Sequence, residues 1–131
     1  MLIKKLSEIQ SSERNVRHDG WESARLLLAS DQMGFSFHIT RLTAGRSWTF
    51  QYQHHLEAVY VISGTGLLKD IATGDQHMLE PGTLYALNMH DKHKLTATTE
   101  LITACVFNPP VVGSEVHDPS GAYPAIVAIA S

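Results

Sequence analysis

The sequence has little of several features that would assign a protein to a particular class. Cys105 is the single cysteine among 131 residues, so no internal disulfide forms and packing must hold the fold. The net charge of −3 is weak, and no run of Lys or Arg suggests a nucleic-acid partner. No apolar run approaches the roughly twenty residues of a membrane helix, and none behind the N-terminus has signal-peptide length. We therefore expect a cytoplasmic protein with neither a nucleic-acid nor a membrane partner.

What the chain does contain is a series of short segments separated by turn signals. The length and the 44% hydrophobic content fit a single domain over residues 1–131. The turn signals leave room only for short strands and fall at Ala44-Gly45, residues 63–66, residues 73–75, Pro81-Gly82 and residues 88–91. Residues 101–107 carry apolar side chains at both alternating positions, which is typical of a strand inside a closed barrel. The pattern predicts an all-β sandwich or barrel.

The two ends of the chain differ from this pattern. Leu2, Leu6 and Ile9 recur at helical spacing, which predicts a short helix within the first twelve residues. From Asn108 onward, repeated Pro and Gly forbid regular structure, so residues 108–124 are predicted to form a tail laid over the barrel. The final apolar stretch, residues 125–131, packs on a partner or frays in this interpretation.

Two stretches carry side chains suited to binding a metal. Residues 54–66 read HHLEAVYVISGTG and residues 80–93 read EPGTLYALNMHDKH. Strand geometry places His55 and Glu57 on one face, and a Pro-Gly turn brings Tyr85 and His93 to the same barrel mouth. Imidazole, carboxylate and phenolate together are a plausible ligand set for a divalent transition metal.

Each of these residues also has a structural interpretation. Burying Glu57 in an apolar strand is expensive without a cation, so His55 and Glu57 are alternatively the solvated start of the strand. Tyr85 on its own is more often a core aromatic than a ligand. Cys105 and Phe107 on an apolar strand are by default small and large core residues.

The order of these motifs resembles the cupin superfamily, small β-barrels in which two motifs on neighbouring strands supply metal ligands. The matching framework is Glu57, Gly64, Gly74, Pro81-Gly82 and His93. The common cupin set has two histidines ahead of the glutamate, whereas here only His55 precedes it at strand spacing.

Longer motifs resemble the ectoine synthase family within this superfamily, over residues 1 to 124. They are Trp21, Arg25, FSFHIT at 35–40, LEAVY at 56–60, PGTLYAL at 81–87, HDKH at 90–93, CVFNPP at 105–110 and GSEVHDPSGAYP at 113–124. The resemblance implies a single cupin jelly-roll barrel, a homodimer, and an iron(II) ion, or another divalent transition metal, held by Glu57, Tyr85 and His93. In this interpretation His55 is not a ligand but orients the residues that bind the metal.

The resemblance also implies a reaction, which is cyclisation of N-γ-acetyl-L-2,4-diaminobutyrate, with loss of water, to the compatible solute ectoine. The implied substrate contacts are Trp21, Arg25, Thr40, Tyr52, Cys105 and Phe107. Glu115 and His117 in the tail, together with Tyr85, are the implied catalytic residues, and the tail becomes a lid over the site. The alternative interpretations without a functional role are a solvated loop for Glu115 and His117, and surface positions for Arg25 and Thr40.

Other functions stay open from the sequence. Residues 47–51 read SWTFQ, where the resemblance leads us to expect a histidine near Thr49. A related enzyme acting on another N-acylated diamino acid, or in the hydrolytic direction, is therefore one alternative. A non-catalytic cupin that only binds a small molecule is another, and a cupin isomerase or dioxygenase is a third.

Overall fold

The computed structural model describes residues 1–113, 115–116 and 123, and it consists mainly of two antiparallel sheets. The strands are β1 (Asn15–His18), β2 (Trp21–Leu27), β3 (Ser36–Leu42), β4 (Ser47–Phe50), β5 (Leu56–Ser63), β6 (Gly66–Asp70), β7 (Gln76–Leu79), β8 (Leu84–Leu87), β9 (His93–Ala97) and β10 (Leu101–Asn108). One sheet has the order β1-β2-β3-β10-β5-β8 and the other β4-β9-β6-β7. The predicted all-β architecture is confirmed.

The predicted turns lie between strands. Glycines at positive φ occupy four of them, at Gly45, Gly64, Gly74 and Gly82, and His90 takes that conformation in the fifth. At Gly64 a side chain is also excluded by space, because an added Cβ would collide with the backbone carbonyl of Glu100. The glycine therefore permits the tight passage from β5 to β6.

The hydrophobic core lies between the two sheets. Val59, Val61 and Leu101 come from the six-stranded sheet, and Leu68 and Leu95 from the four-stranded sheet. Strand β5 alternates as predicted, with Glu57, Val59 and Val61 buried and the side chains between them partly or largely exposed. This burial fixes which face of β5 looks into the barrel.

Strand β3 turns its polar face inward. Ser36 and His38 are buried, whereas Phe37 and Ile39 between them are only half-buried. Polar side chains are tolerated inside when they bond to one another, and His38 lies within hydrogen-bond distance of both Ser36 and Ser23. The interior is therefore apolar at one end of the barrel and polar at the other.

The N-terminal helix, α1, is shorter than the sequence pattern predicts and spans only Leu6–Gln10. Of the three apolar residues at helical spacing, Ile9 alone is buried, and Leu2 lies before the helix. Ser12 ends it by donating its hydroxyl to the Ile9 carbonyl, an alternative that serine offers to the helical backbone. No helix in the described part of the chain is long and apolar enough to cross a membrane.

The described part of the tail packs onto the barrel, as predicted. The backbone N–H of Ala29 donates to the Val111 carbonyl at 2.9 Å, and Val111 is fully buried. Tyr123, further along the tail, is also buried in the core. Residues 125–131 lie outside the described residues.

Candidate active site

A small cavity lies between the two sheets at the polar end of the barrel. Its lining residues come from both sheets, from the segment after β4 and from the tail: Trp21, Ser23, Thr40, Leu42, Phe50, Tyr52, Glu57, Val59, Tyr85, His93, Leu95, Thr103, Cys105, Phe107 and Tyr123. Aromatic rings, hydroxyls and a few ionisable groups share this small volume, which is the usual composition of a small-molecule site.

The three predicted metal ligands converge on one side of this cavity, which we call the metal wall (Glu57, Tyr85 and His93). β5 and β8 are paired with Val59 opposite Tyr85, so Glu57 and Tyr85 are diagonal neighbours on the inner face. His93 begins β9 in the other sheet, and its ring centroid lies 6.3 Å from that of Tyr85. The metal wall therefore bridges the two sheets.

The electrostatics of the metal wall favour a bound cation. Burial raises the pKa of Glu57 to about 8. Burial, and then the neighbouring Glu57, raise the pKa of Tyr85 well above its ordinary value. Burial likewise raises the pKa of Cys105, which hydrogen-bonds Glu57, to about 12. None of the described residues that line the cavity is a lysine or arginine, so a metal ion would supply the missing positive charge.

The hydrogen bonding of His93 leaves one ring nitrogen available to bind a metal. Its Nδ1–H donates to the Asp91 carbonyl at 3.0 Å, which leaves Nε2 as the unprotonated nitrogen. Burial lowers its pKa, so the ring is neutral. In the described part of the chain, His, Cys, Asp and Glu alone form no cluster of three, so a three-donor metal site here would have to include the Tyr85 oxygen. With that oxygen, the donors fit iron(II) or a similar divalent ion.

His55 lies outside the cavity lining and is almost completely buried. Its Nδ1–H donates to the Pro109 carbonyl at 2.9 Å, and its Nε2 has no partner in the described structure. Phe107 and Tyr123 pack edge-on against its ring at 5.9 and 6.0 Å. His55 therefore supports two aromatic residues of the cavity, and its orienting role toward the metal ligands stays a prediction.

Most of the predicted substrate contacts line the cavity, namely Trp21, Thr40, Tyr52, Cys105 and Phe107. Two of the aromatic members, Tyr52 and Phe107, form a cluster with Tyr123, in which the ring centroid of Tyr52 lies 5.1 Å from that of Phe107 and 5.0 Å from that of Tyr123. Such a cluster offers a rigid apolar surface to the carbon chain of a ligand.

Arg25 is fully buried but does not line the cavity. Its guanidinium donates to the carbonyls of Gly113 and Glu115, each at 2.6 Å, and lies 5.5 Å from the ring centroid of Tyr123. In this arrangement Arg25 binds the tail, and a direct contact with substrate stays a prediction. The alternative surface position is wrong, because Arg25 is fully buried and its guanidinium is bonded to the tail.

Glu115 is likewise engaged by the tail and is not among the cavity-lining residues. Its carboxylate accepts hydrogen bonds from the backbone N–H groups of Val112 and Gly113, each at 2.7 Å, and lies 3.9 Å from Arg25. These contacts fold the tail into a turn held against the barrel. His117, the other predicted proton carrier, lies outside the described residues.

Seven residues that line the cavity are not among the predicted site residues. Four of them are polar or aromatic, namely Ser23, Phe50, Thr103 and Tyr123. Strand alternation supplies a signal for the first three, because they lie two residues from Trp21, Tyr52 and Cys105 respectively. Ser23, Thr40 and Thr103 are directly opposite one another across β2, β3 and β10, and we call them the hydroxyl row. Tyr123 lies in the irregular tail, where no periodicity marks it.

Comparison with known proteins places these features in one family. The family model described as ectoine synthase matches residues 1–127. The L-ectoine synthase of Sphingopyxis alaskensis is 58% identical over 95% of this chain and 91% of that protein. The crystal structure of ectoine synthase from P. lautus is 42% identical, with a TM-score of 0.87 over 99% of this chain and 94% of that one.

A more distant structure shows the fold alone. The Cupin_2 domain of an XRE-family transcriptional regulator from Enterobacter cloacae is 17% identical, with a TM-score of 0.58. The match covers 70% of this chain and 99% of that domain. The predicted cupin barrel is thereby confirmed.

Proposed function

The chain belongs to the ectoine synthase family, and we propose that it is a metal-dependent lyase that cyclises N-γ-acetyl-L-2,4-diaminobutyrate to ectoine. In this reaction the α-amine nitrogen attacks the amide carbonyl carbon and a C–N bond forms. The carbonyl oxygen then leaves as water with the two hydrogens of the amine, and a ring C=N bond remains. The convergence of Glu57, Tyr85 and His93 on one cavity is the observation that carries the proposal.

The metal wall would hold iron(II), and other divalent transition metals suit the same donors. The bound ion would act as a Lewis acid that polarises the amide carbonyl and stabilises negative charge on its oxygen. The neutral His93 ring and its bond to the Asp91 carbonyl keep one nitrogen free for this task.

The aromatic cluster would provide orientation. Ring closure requires the flexible chain of the substrate to fold so that its two ends meet, which costs entropy in solution. Trp21, Tyr52 and Phe107 line the cavity and are each nearly inaccessible to solvent. A rigid pocket of this shape favours the folded conformation, and the exclusion of water favours a reaction that produces water.

Proton transfer is assigned to the tail. The Glu115 carboxylate already accepts two backbone N–H groups, so we assign it the role of shaping the tail. Of the two tail residues that could carry a proton, we therefore assign His117 the role of general base that takes the amine proton. Cys105 keeps its thiol proton, because burial raises its pKa to about 12, and it serves as a neutral wall residue.

The exposed face of β5 and β8 supports the predicted homodimer. Leu56, Tyr60, Ile62 and Leu84 are each between 40% and 61% exposed, and Tyr60 lies directly opposite Leu84. An apolar patch on a sheet face is typical of an interface between subunits. Tyr60→Lys should convert a dimer into a monomer in light scattering, whereas the exposed Lys94→Ala should not. A wild-type monomer would contradict the homodimer.

A cytoplasmic location stays a prediction from the sequence.

The direct test is turnover by the iron-loaded protein. Anaerobically loaded wild-type protein is incubated with N-γ-acetyl-L-2,4-diaminobutyrate, and ectoine is followed by proton NMR. Cyclised product that depends on added iron supports the proposal. Binding of the substrate without any cyclised product would favour the non-catalytic cupin, and equal rates after complete metal removal would refute the metal dependence.

A further inference from the structure

A serine in the cavity has no role in the function described so far. Ser23 lies on β2, is 2% exposed and lines the cavity between Trp21 and Thr40. The strand order β2-β3-β10-β5-β8 places it three strands from Glu57 and four strands from Tyr85 in the same sheet.

Ser23 is the end of a buried chain of hydrogen bonds that begins in the tail. The backbone N–H of Val111 donates to Ser36 Oγ at 3.0 Å. Ser36 Oγ lies 3.0 Å from His38 Nε2, and His38 Nδ1 lies 3.3 Å from Ser23 Oγ. Arg25 Nε donates to the same Ser23 oxygen at 3.4 Å. Serine hydroxyls and a buried imidazole thus connect the tail to the cavity.

The direction of these hydrogen bonds follows from the Val111 end. The Ser36 oxygen already accepts the Val111 N–H, so the Ser36 hydroxyl hydrogen needs an acceptor of its own. Among the described residues, the one within reach is His38 Nε2, which must therefore be unprotonated. The neutral imidazole then carries its hydrogen on Nδ1 and donates it to Ser23 Oγ.

The other tautomer of His38 is disfavoured. A hydrogen on Nε2 would point at the Ser36 oxygen and leave the fully buried Ser36 hydroxyl without an acceptor in the described structure. A buried donor without a partner is costly. The imidazolium form is also disfavoured, because burial and the charge of Arg25 hold the pKa of His38 well below its ordinary value.

His38 Nδ1–H and Arg25 Nε–H both donate to Ser23 Oγ, so neither of its lone pairs is available to accept a hydrogen bond from a ligand. Its hydroxyl hydrogen has the cavity as its remaining direction, so this residue presents a donor to whatever the cavity holds. A ligand group placed beside Ser23 must therefore be an acceptor. The nearby Arg25 guanidinium adds a positive potential, which favours a carboxylate over a neutral oxygen.

We propose that Ser23 is a specificity-determining residue whose hydroxyl donates to the substrate carboxylate, and that His38 and Ser36 are positioning residues that fix this direction. The proposal rests on the proposed function for the identity of the substrate. In the proposed orientation, the substrate carboxylate binds at the hydroxyl row and the amide carbonyl faces the metal wall.

Ser23→Ala tests the contact, with the exposed Ser47→Ala as the matched control. Ser23→Ala should raise the KM for N-γ-acetyl-L-2,4-diaminobutyrate about tenfold or more, with kcat within threefold and bound iron unchanged. The analogue N-acetyl-1,3-diaminopropane lacks the carboxylate, so its affinity, measured by turnover or competitive inhibition, should be the same in wild type and variant. An unchanged KM, or an equal loss with the analogue, would overturn the proposal.

A second measurement uses the unmodified protein and remains informative if Ser23→Ala does not fold. The ¹⁵N NMR shifts of the His38 ring report which nitrogen carries the hydrogen. The proposal predicts a neutral ring protonated at Nδ1, and a preference that is lost in Ser36→Ala. Protonation at Nε2 would overturn the proposal even in an active enzyme. A protein with the predicted tautomer but no turnover would refute the proposed function alone.

Discussion

The two sides of the cavity are built from different chemistry. The metal wall carries ionisable groups whose pKa values are shifted by burial, and Glu57 there has no cation among the described residues that line the cavity. The hydroxyl row carries neutral groups, and Ser23, Thr40 and Thr103 each have hydrogen-bonding partners within the protein. The metal wall is therefore suited to the cation that we propose it binds, whereas the hydroxyl row is suited to orienting a ligand.

Removing a ligand from the metal wall should have the largest effect. Glu57→Ala deletes the carboxylate, so we expect loss of stoichiometric iron and a fall in turnover of about a thousandfold or more. Iron is measured by metal analysis after desalting, and turnover by ectoine formation. Glu80→Ala, which alters an exposed carboxylate before β8, is the control and should retain both. Full activity of Glu57→Ala without iron would contradict the account.

The pH dependence of stability should also distinguish the metal wall, which carries an ionisable carboxyl, from the neutral hydroxyl row. The pKa of Glu57 rises from 4.5 to about 8 on folding, so the native state binds its proton more tightly. The contribution of this proton to the free energy of unfolding is fully present below about pH 4.5. It is lost as pH rises toward 8, by up to about 1.4 kcal/mol per pH unit. Urea unfolding of metal-free protein at pH 5 to 8 should show this loss, and Glu57→Gln should not.

The comparison between wild type and Glu57→Gln isolates this carboxyl. The lowered pKa values of His38 and His93 act in the opposite direction, since they favour the native state as pH rises, and both proteins share them. Added iron should flatten the wild-type dependence by compensating the carboxylate. Parallel curves for the two metal-free proteins would contradict the assignment of Glu57 as the uncompensated group.

Disconnecting the tail from the barrel should have an intermediate effect. Arg25→Gln removes the donors to the Gly113 and Glu115 carbonyls, so we expect kcat/KM to fall about tenfold to a hundredfold. Bound iron should be unchanged, because Arg25 does not line the metal wall. Hydrogen exchange at residues 111–116 should accelerate in the variant, and not in Arg17→Gln, where an exposed arginine is replaced. Loss of iron without faster exchange would show that the tail is not held by Arg25.

Removing the Thr40 hydroxyl from the hydroxyl row should have the smallest effect. Thr40→Val keeps the shape of the side chain and removes its hydroxyl, which Cys105 Sγ approaches at 3.7 Å. We expect the KM to rise about threefold to tenfold, as for the loss of one neutral hydrogen bond, with kcat and iron content retained. Steady-state kinetics measures the change. A fall in kcat as large as that of Glu57→Ala would mean that the two sides of the cavity do not have separate tasks.

The sequence was sufficient to predict the strand-rich barrel, because turn signals and alternation depend on local geometry alone. The same alternation placed Glu57 on the inner face of β5, and family motifs brought together Tyr85 and His93. Hydropathy favours Phe37 and Ile39 as the inner face of β3, but Ser36 and His38 are buried instead. Their burial depends on partners in β2 and the tail, which are distant in the sequence and not visible from β3.

The role of Arg25 in holding the tail also required the structure. A charged residue in an amphipathic strand is equally consistent with a surface position, a ligand contact or a buried anchor. The two carbonyls that it binds lie 88 and 90 residues away, on backbone that has no distinguishing sequence feature. Ser23 was missed for the same reason, since its importance comes from His38 and not from its neighbours in sequence.

We propose that Glu57, Tyr85 and His93 together bind one metal ion in the cavity. Anomalous diffraction from crystals of the iron-loaded protein, measured above and below the iron absorption edge, locates that ion. We expect a single anomalous peak in the cavity, in coordination contact with the Glu57 carboxylate, the Tyr85 oxygen and His93 Nε2. A peak bound instead by His55, or one without contact to Tyr85, would contradict the proposal.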